Sequence, residues 1–77
     1  MVAREFFNWT YREVVAVLRK HGFRESHTDS SHVIYVKIES TKQFLVCVPY
    51  HGSAAIKPRT MKSIIEDSGI PKVKWFN

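Results

Sequence analysis

The sequence lacks the features that are typical of secreted, membrane-spanning and cofactor-binding proteins. It has a single cysteine, Cys47, so no disulfide can form within the chain. The place of this thiol in the apolar run 44–48 is typical of a packed residue in a reducing compartment. No segment approaches the roughly 20 apolar residues of a membrane span, and the N-terminus lacks the pattern of a secretion signal. We therefore expect a soluble cytoplasmic protein that does not span a membrane.

The chain is also too short for two folding units. Its 77 residues predict a single domain covering 1–77, because domains rarely divide at such lengths. A domain of this size buries only roughly 60% of the surface of its unfolded chain, which leaves little room for an enclosed pocket. No cofactor is therefore expected.

Acidic residues are scarce as well. Lys and Arg number 12 against 7 Asp and Glu, which gives a net charge of +5. In so small a protein this charge creates a sizeable positive potential and favours a nucleic-acid partner. An anionic membrane or an acidic protein would also fit, so the charge alone leaves the partner open.

What the chain does contain is a set of well-marked secondary-structure signals, beginning with a helix over residues 10–21. Thr10 and Glu13 have the spacing of a capping box, and Gly22 follows as a C-terminal stop. Four apolar residues recur at helical spacing and share one face: Tyr11, Val14, Val15 and Leu18.

Three strands are predicted after this helix. Residues 32–38 and 43–48 are rich in β-branched and aromatic side chains, and the polar residues 39–42 between them suit a hairpin loop. Residues 23–26 are predicted as a short strand, and residues 27–31, which have no apolar side chain, as a loop.

A second helix is predicted after a loop over residues 50–58. Thr60 is its expected N-cap, and Gly69 with Pro71 stops it. The order α-β-β-β-α predicts an α+β fold, in which helices pack on one face of a three-stranded antiparallel sheet. This is the arrangement of a dsRBD-like domain, named after double-stranded-RNA-binding domains.

The charges of the second helix lie at the ends that the helix dipole disfavours. Lys57, Arg59 and Lys62 crowd its N-terminal end, while Glu66 and Asp67 occupy its last turn. A bound anion would compensate for this arrangement, since free N–H groups at a helix start favour phosphate. The three cations are therefore predicted to bind the RNA backbone, with a merely solvated surface as the alternative.

Four histidines raise the possibility of metal binding or acid–base chemistry. A metal site is not predicted, because there is no cysteine pair and no histidine pair at helical spacing. His32 differs from the others because it begins a strand in phase with Ile34 and Val36. It should therefore lie at the edge of the buried face, where its surroundings can tune its pKa. The alternative is a structural histidine.

Aromatic side chains offer another route to RNA, because they can stack on unpaired bases. Tyr50 borders the basic loop and is predicted to meet a substrate near His32. Core packing is the default interpretation for most of the other aromatic residues, among them Trp75 and Phe76, while Tyr35 points away from the His32 face by strand alternation.

Several of these segments together resemble the HicA (YcfA-like) toxin family over roughly residues 11–71. Gly22-Phe23 is followed by Ser30-Ser31-His32-Val33, where the family has a Gly-Ser-His-His motif. The segment 46–51, Val-Cys-Val-Pro-Tyr-His, is similar to the family's valine-rich strand ending in Pro with a nearby His. The segment 56–60, Ile-Lys-Pro-Arg-Thr, is similar to its Ile-Lys-Pro-Gly-Thr helix start.

The resemblance implies a toxin that cleaves messenger RNA without a metal and is silenced by a HicB-like antitoxin. It makes His32 the catalytic residue, with residues 1–9 as an N-terminal extension. Ser30 in place of Gly and Val33 in place of the second His depart from the family pattern and would weaken activity. The predicted RNA-binding residues are Lys57, Arg59, Lys62, Tyr50 and His51. A non-catalytic RNA-binding module of the same fold, or an adaptor for an acidic protein, remains open as an alternative.

Overall fold

Eight elements make up the computed structural model, which describes residues 6–76. In chain order they are β1 (Trp9–Thr10), α1 (Tyr11–Lys20), β2 (Arg24–Asp29), β3 (His32–Glu39), β4 (Lys42–Pro49), β5 (Ala55–Ile56), α2 (Pro58–Ser68) and α3 (Lys72–Phe76). Strands β2, β3 and β4 form a three-stranded antiparallel sheet in that order, and β1 pairs with β5 in a separate two-stranded sheet. The predicted α+β class with its α-β-β-β-α core is confirmed, whereas β1, β5 and α3 were not predicted.

The first helix forms as its local signals indicate. The Thr10 hydroxyl accepts a hydrogen bond from the Glu13 backbone N–H, and the Glu13 carboxylate accepts one from the Thr10 N–H at 3.1 Å. This capping box satisfies two of the N–H groups that every helix start leaves free. Val14 and Leu18 on the inner face are fully buried.

The prediction of a loop over residues 27–31 is wrong, because β2 continues to Asp29. Its backbone pairs with β3 up to the Asp29–His32 pair, and only Ser30 and Ser31 form the turn. Every side chain of β2 is exposed. The polarity of this segment therefore marks a solvated edge strand, whose charged side chains protect it against pairing with other chains.

The buried face of β3 is also opposite to the predicted one. Val33 and Tyr35 lie in the core, whereas His32 is exposed and Ile38 is 74% exposed. Both faces of this strand are largely apolar, so alternation in the sequence cannot choose between them. The cross-strand pairs Val33–Val48 and Tyr35–Val46 place four core side chains on one side of the sheet.

The second helix begins earlier than predicted, since Lys57 and not Thr60 is its N-cap residue. Pro58 occupies the first turn, where a fixed φ and a missing N–H do no harm. Gly69 ends the helix as predicted, in the left-handed region at φ 70°. A Cβ added there would lie 2.5 Å from Cε1 of Phe44, so both the backbone and the packing require glycine.

The two ends of the described chain pack against each other. Trp9 and Trp75 form an edge-to-face pair with ring centroids 5.6 Å apart, and both are buried. Phe6 and Phe76 form a second such pair at 5.5 Å. Phe6 and Trp9 of the predicted N-terminal extension therefore pack in or against the core, while residues 1–5 of it lie outside the described residues.

Candidate nucleic-acid interface

A cavity of about 430 Å³ lies beside His32, and we call it the His32 cavity. It forms where the start of β3 and the end of β4 meet the loop to β5 and the beginning of α2. Its lining residues are His32, Cys47, Pro49, His51, Ala55, Ile56, Lys57 and Thr60. Three of the predicted site residues, His32, His51 and Lys57, thus come together from three separate parts of the chain.

Strand pairing fixes the position of His32. It lies between Asp29 on β2 and Pro49 on β4. Residues directly opposite each other in an antiparallel sheet point to the same face, with Cβ atoms about 4.5 to 5.5 Å apart. The imidazole of His32 and the carboxylate of Asp29 are therefore neighbours.

Cys47 lies on the same side of the sheet as Asp29, because it pairs with Ile34, two residues after His32. Burial raises the pKa of the Cys47 thiol, and the charge of Asp29 raises it further. The position of Asp29 beside His32 was not predicted from the sequence, because residues 27–31 were interpreted as a loop. A prediction of the two-residue turn at Ser30 and Ser31 would have placed Asp29 opposite His32.

The other two histidines do not line the cavity. Nδ1 of His21 is 3.0 Å from the carbonyl oxygen of Val17, within the last turn of α1. Nδ1 of His27 is 3.1 Å from the hydroxyl of Ser26, on the exposed edge strand. Neither imidazole therefore belongs to the cavity, although His27 shares a face of the sheet with His32, since it pairs with Ile34.

The three predicted RNA-binding cations are all at the start of α2. Lys57 lines the His32 cavity, while Arg59 and Lys62 are exposed on the first turns of the helix outside it. The first turn contains no acidic residue, and no side chain caps it. An anion in the cavity would therefore meet a basic helix start.

Tyr50 lines a different cavity, which we call the Tyr50 cleft. It has a volume of about 620 Å³ and lies between the start of α1 and the loop after β4. The ring of Tyr50 packs edge-to-face against Tyr11 with centroids 4.9 Å apart. Its lining residues are Thr10, Tyr11, Arg12, Val15, Tyr50, Gly52 and Ser53.

The remaining aromatic candidates belong to the core or pack against it. Tyr35 is 1% exposed and its hydroxyl lies 2.9 Å from that of Tyr11. Burial and this hydrogen bond raise the pKa of Tyr11 far above its ordinary value, so its hydroxyl stays protonated. Trp75 is buried, and Phe76 is partly buried against Phe6.

The two departures from the family motif have different structural consequences. Ser30 adopts φ 61° in the turn before β3, a conformation that favours glycine. Val33 is 7% exposed and points into the core. A side chain at position 33 thus lies on the opposite face of the strand from His32, so a histidine there would not face the His32 cavity.

The part of the chain that the structure describes contains no group of three or more His, Cys, Asp or Glu residues that could hold a metal ion. Across residues 6–76, none of the helices has both the length and the apolar character needed to cross a membrane.

Comparison with known proteins identifies one family. Neither the curated proteins nor the solved structures gave a match. The family model of the HicA toxin of bacterial toxin–antitoxin systems matches residues 11–70, which include α1, the three-stranded sheet, α2 and the His32 cavity. Because this match covers well over half of the chain, the protein belongs to the HicA toxin family.

Proposed function

We propose that this toxin is a metal-independent endoribonuclease that cuts messenger RNA in the cytoplasm, with His32 as a catalytic residue. One observation carries the proposal: His32, His51 and Lys57 line the same cavity. Two imidazoles and an ammonium group can supply the general base, the general acid and the charge stabilisation of RNA cleavage through the 2′-hydroxyl.

The reaction follows from the chemistry of these groups. The 2′-oxygen of a ribose attacks the adjacent phosphorus, and its proton passes to one neutral imidazole. The bond between phosphorus and the 5′-oxygen breaks, and a protonated imidazole donates a proton to that leaving oxygen. The products are a 2′,3′-cyclic phosphate and a free 5′-hydroxyl, and each proton transfer contributes typically about 10² to 10⁴ in rate.

His51 supplies the second imidazole that sequence reasoning lacked. Sequence analysis gave His51 a binding role only, because nothing local links it to His32. The shared cavity supports a division of the two proton transfers between His32 and His51. Which of them takes the first proton is left to the pH profiles of the single variants.

The basic residues stabilise the phosphate. Lys57 lines the cavity, where its ammonium group would offset the charge that builds on the phosphoryl oxygens. Arg59 and Lys62 lie outside the cavity on the same helix start and would hold the neighbouring phosphates.

Membership of the HicA family implies a HicB-type antitoxin as partner. We propose that this antitoxin covers the His32 cavity together with the basic start of α2. Blocking the reactive groups and the substrate path at once inhibits the toxin, and acidic side chains on the antitoxin would speed association with this surface.

The decisive experiment uses two oligonucleotides of the same sequence, one of RNA and one with a single 2′-deoxynucleotide at the cut site. In the presence of EDTA the purified toxin should cut the first, leave a cyclic phosphate, and spare the second at the substituted position. Binding of both without cutting of either would make the chain a non-catalytic RNA-binding module. Loss of cutting in EDTA that added metal restores would contradict the metal-independent mechanism.

A further inference from the structure

We propose that the Tyr50 cleft binds a nucleobase of the RNA, that of the nucleotide next to the phosphate in the His32 cavity. The inference rests on the proposed function, since it takes the substrate to be RNA, and adds to it a site for base recognition.

The ring of Tyr50 is exposed yet held in place. The residue is 54% exposed, and its ring packs edge-to-face on Tyr11 at an interplanar angle of 79°. The Tyr11 hydroxyl is in turn hydrogen-bonded to the buried Tyr35 hydroxyl. An exposed aromatic ring that already packs against another ring loses little conformational freedom when a base stacks on it.

The backbone of Tyr50 is fixed as well. Its N–H donates a hydrogen bond of 2.7 Å to the carbonyl oxygen of Ser31, the residue before His32. The position of the cleft relative to His32 is therefore set by a direct backbone contact.

The chemistry of the cleft suits a nucleobase. Its lining contains no acidic residue, and it joins the apolar side chain of Val15 to the exposed Arg12 and Ser53. A base has an apolar face for Tyr50 and polar edges that a guanidinium or a hydroxyl can bind. The volume falls within the range of about 300 to 1,000 Å³ that is usual for small-ligand sites.

Consecutive residues line the cleft and the His32 cavity. Tyr50 lines the first and His51 lines the second, and consecutive Cα atoms are about 3.8 Å apart. A phosphate at His51 would therefore leave an attached base within reach of Tyr50. This continuity favours RNA over the side chain of a protein partner as the occupant.

The test uses the His32→Ala variant, so that the probes are not cut, and two short single-stranded RNAs that differ only in one abasic nucleotide. Tyr50→Leu in this background should weaken binding of the intact RNA by about 5-fold to 100-fold, the range that loss of one base–aromatic stack produces. Tyr50→Phe should keep most of the affinity, and Tyr50→Leu should leave binding of the matching abasic RNA unchanged. The control is Phe7→Leu, which removes a comparably exposed ring outside the cleft and should change neither affinity.

Several outcomes would overturn the inference. Equal loss of affinity for intact and abasic RNA, or no loss for either, would show that the cleft does not hold a base. The same conclusion follows if amide resonances of Arg12, Gly52 and Ser53 respond to an antitoxin but not to RNA. Cleavage is measured separately with toxin that retains His32. If this toxin cuts RNA but Tyr50→Leu does not change RNA binding, the base site is wrong and the catalytic function stands. If the cleft binds a base but the toxin does not cut RNA, the catalytic function is wrong and the base site stands.

Discussion

The backbone N–H of Tyr50 lies 2.7 Å from the carbonyl oxygen of Ser31 and donates a hydrogen bond to it. This contact joins the end of β4 to the turn before β3, and so connects the loop that carries His51 to the residue that precedes His32. The geometry of that turn therefore bears on both imidazoles of the His32 cavity.

The turn contains a strained residue, and relieving the strain should stabilise the protein. Ser30 has φ 61°, which costs an L-residue roughly 1 to 2 kcal/mol. Glycine removes this cost but loses about 0.5 to 1 kcal/mol through its freer unfolded backbone. Ser30→Gly should thus raise the free energy of unfolding by up to about 1.5 kcal/mol, as measured by urea denaturation. Ser31→Gly, at a residue without positive φ, should lower it; stabilisation by both or by neither would contradict the account.

Removal of either cavity imidazole should abolish cutting without unfolding the protein. His32 is exposed at the first position of β3, so His32→Ala should cost less than the about 2 to 5 kcal/mol of a core deletion. Cleavage should fall by about 10² to 10⁴, and His51→Ala should have an effect of the same kind. Circular dichroism of both variants and the RNA affinity of His32→Ala should stay close to wild type.

His21→Ala is the matched control, because His21 lies at the C-terminal end of α1 and does not line the cavity. It should cut at the wild-type rate. A folded His32→Ala protein that retains full activity would show that His32 is not catalytic.

RNA affinity should depend steeply on salt through the start of α2. Removing the cation that binds one phosphate should reduce the slope of log affinity against log salt by about 0.7 for single-stranded RNA. Lys57→Ala, Arg59→Ala and Lys62→Ala are each expected to show this reduction, with little change in sequence preference. Lys20→Ala, in the last turn of α1, serves as the control. If Lys20→Ala reduced the slope equally, the total charge of the protein and not this cluster would determine RNA binding.

The Cys47 thiol should react slowly despite its exposure. Partial burial raises the pKa of this thiol, and the charge of Asp29 raises it further. At neutral pH a smaller fraction of the thiol is therefore thiolate than in a free cysteine, whose pKa is about 8.5. Alkylation by iodoacetamide should therefore rise with pH along a curve displaced to higher pH. Asp29→Asn removes a negative charge that disfavours the thiolate, and should move the curve to lower pH, whereas Glu39→Gln should not. An unmoved curve for Asp29→Asn would place that carboxylate elsewhere.

Cys47 also reports on inhibition. It lines the His32 cavity, so an antitoxin that covers the cavity should protect the thiol from alkylation and displace RNA at the same time. An inhibited complex in which Cys47 reacts as in the free toxin would instead indicate inhibition from another surface.

The sequence alone determined the features that depend on residues close together in the chain. The capping box of Thr10 and Glu13 and the glycine stop at Gly69 formed as predicted, because their hydrogen bonds and backbone angles involve only a few neighbouring residues. The cluster of cations at the start of α2 was likewise predicted from the sequence. The family motif pointed to His32 without any knowledge of the fold.

Tertiary structure decided the features that depend on pairing between distant segments. Both faces of β3 are apolar enough to be buried, and only packing against α1, α2 and β4 selected Val33 and Tyr35 for the core. Pairing with β3 turned the polar segment through Asp29 into an edge strand. The meeting of His32, His51 and Lys57 in one cavity, with Tyr50 in another, follows from the closure of strands and loops around a common core, which no local pattern in the sequence encodes.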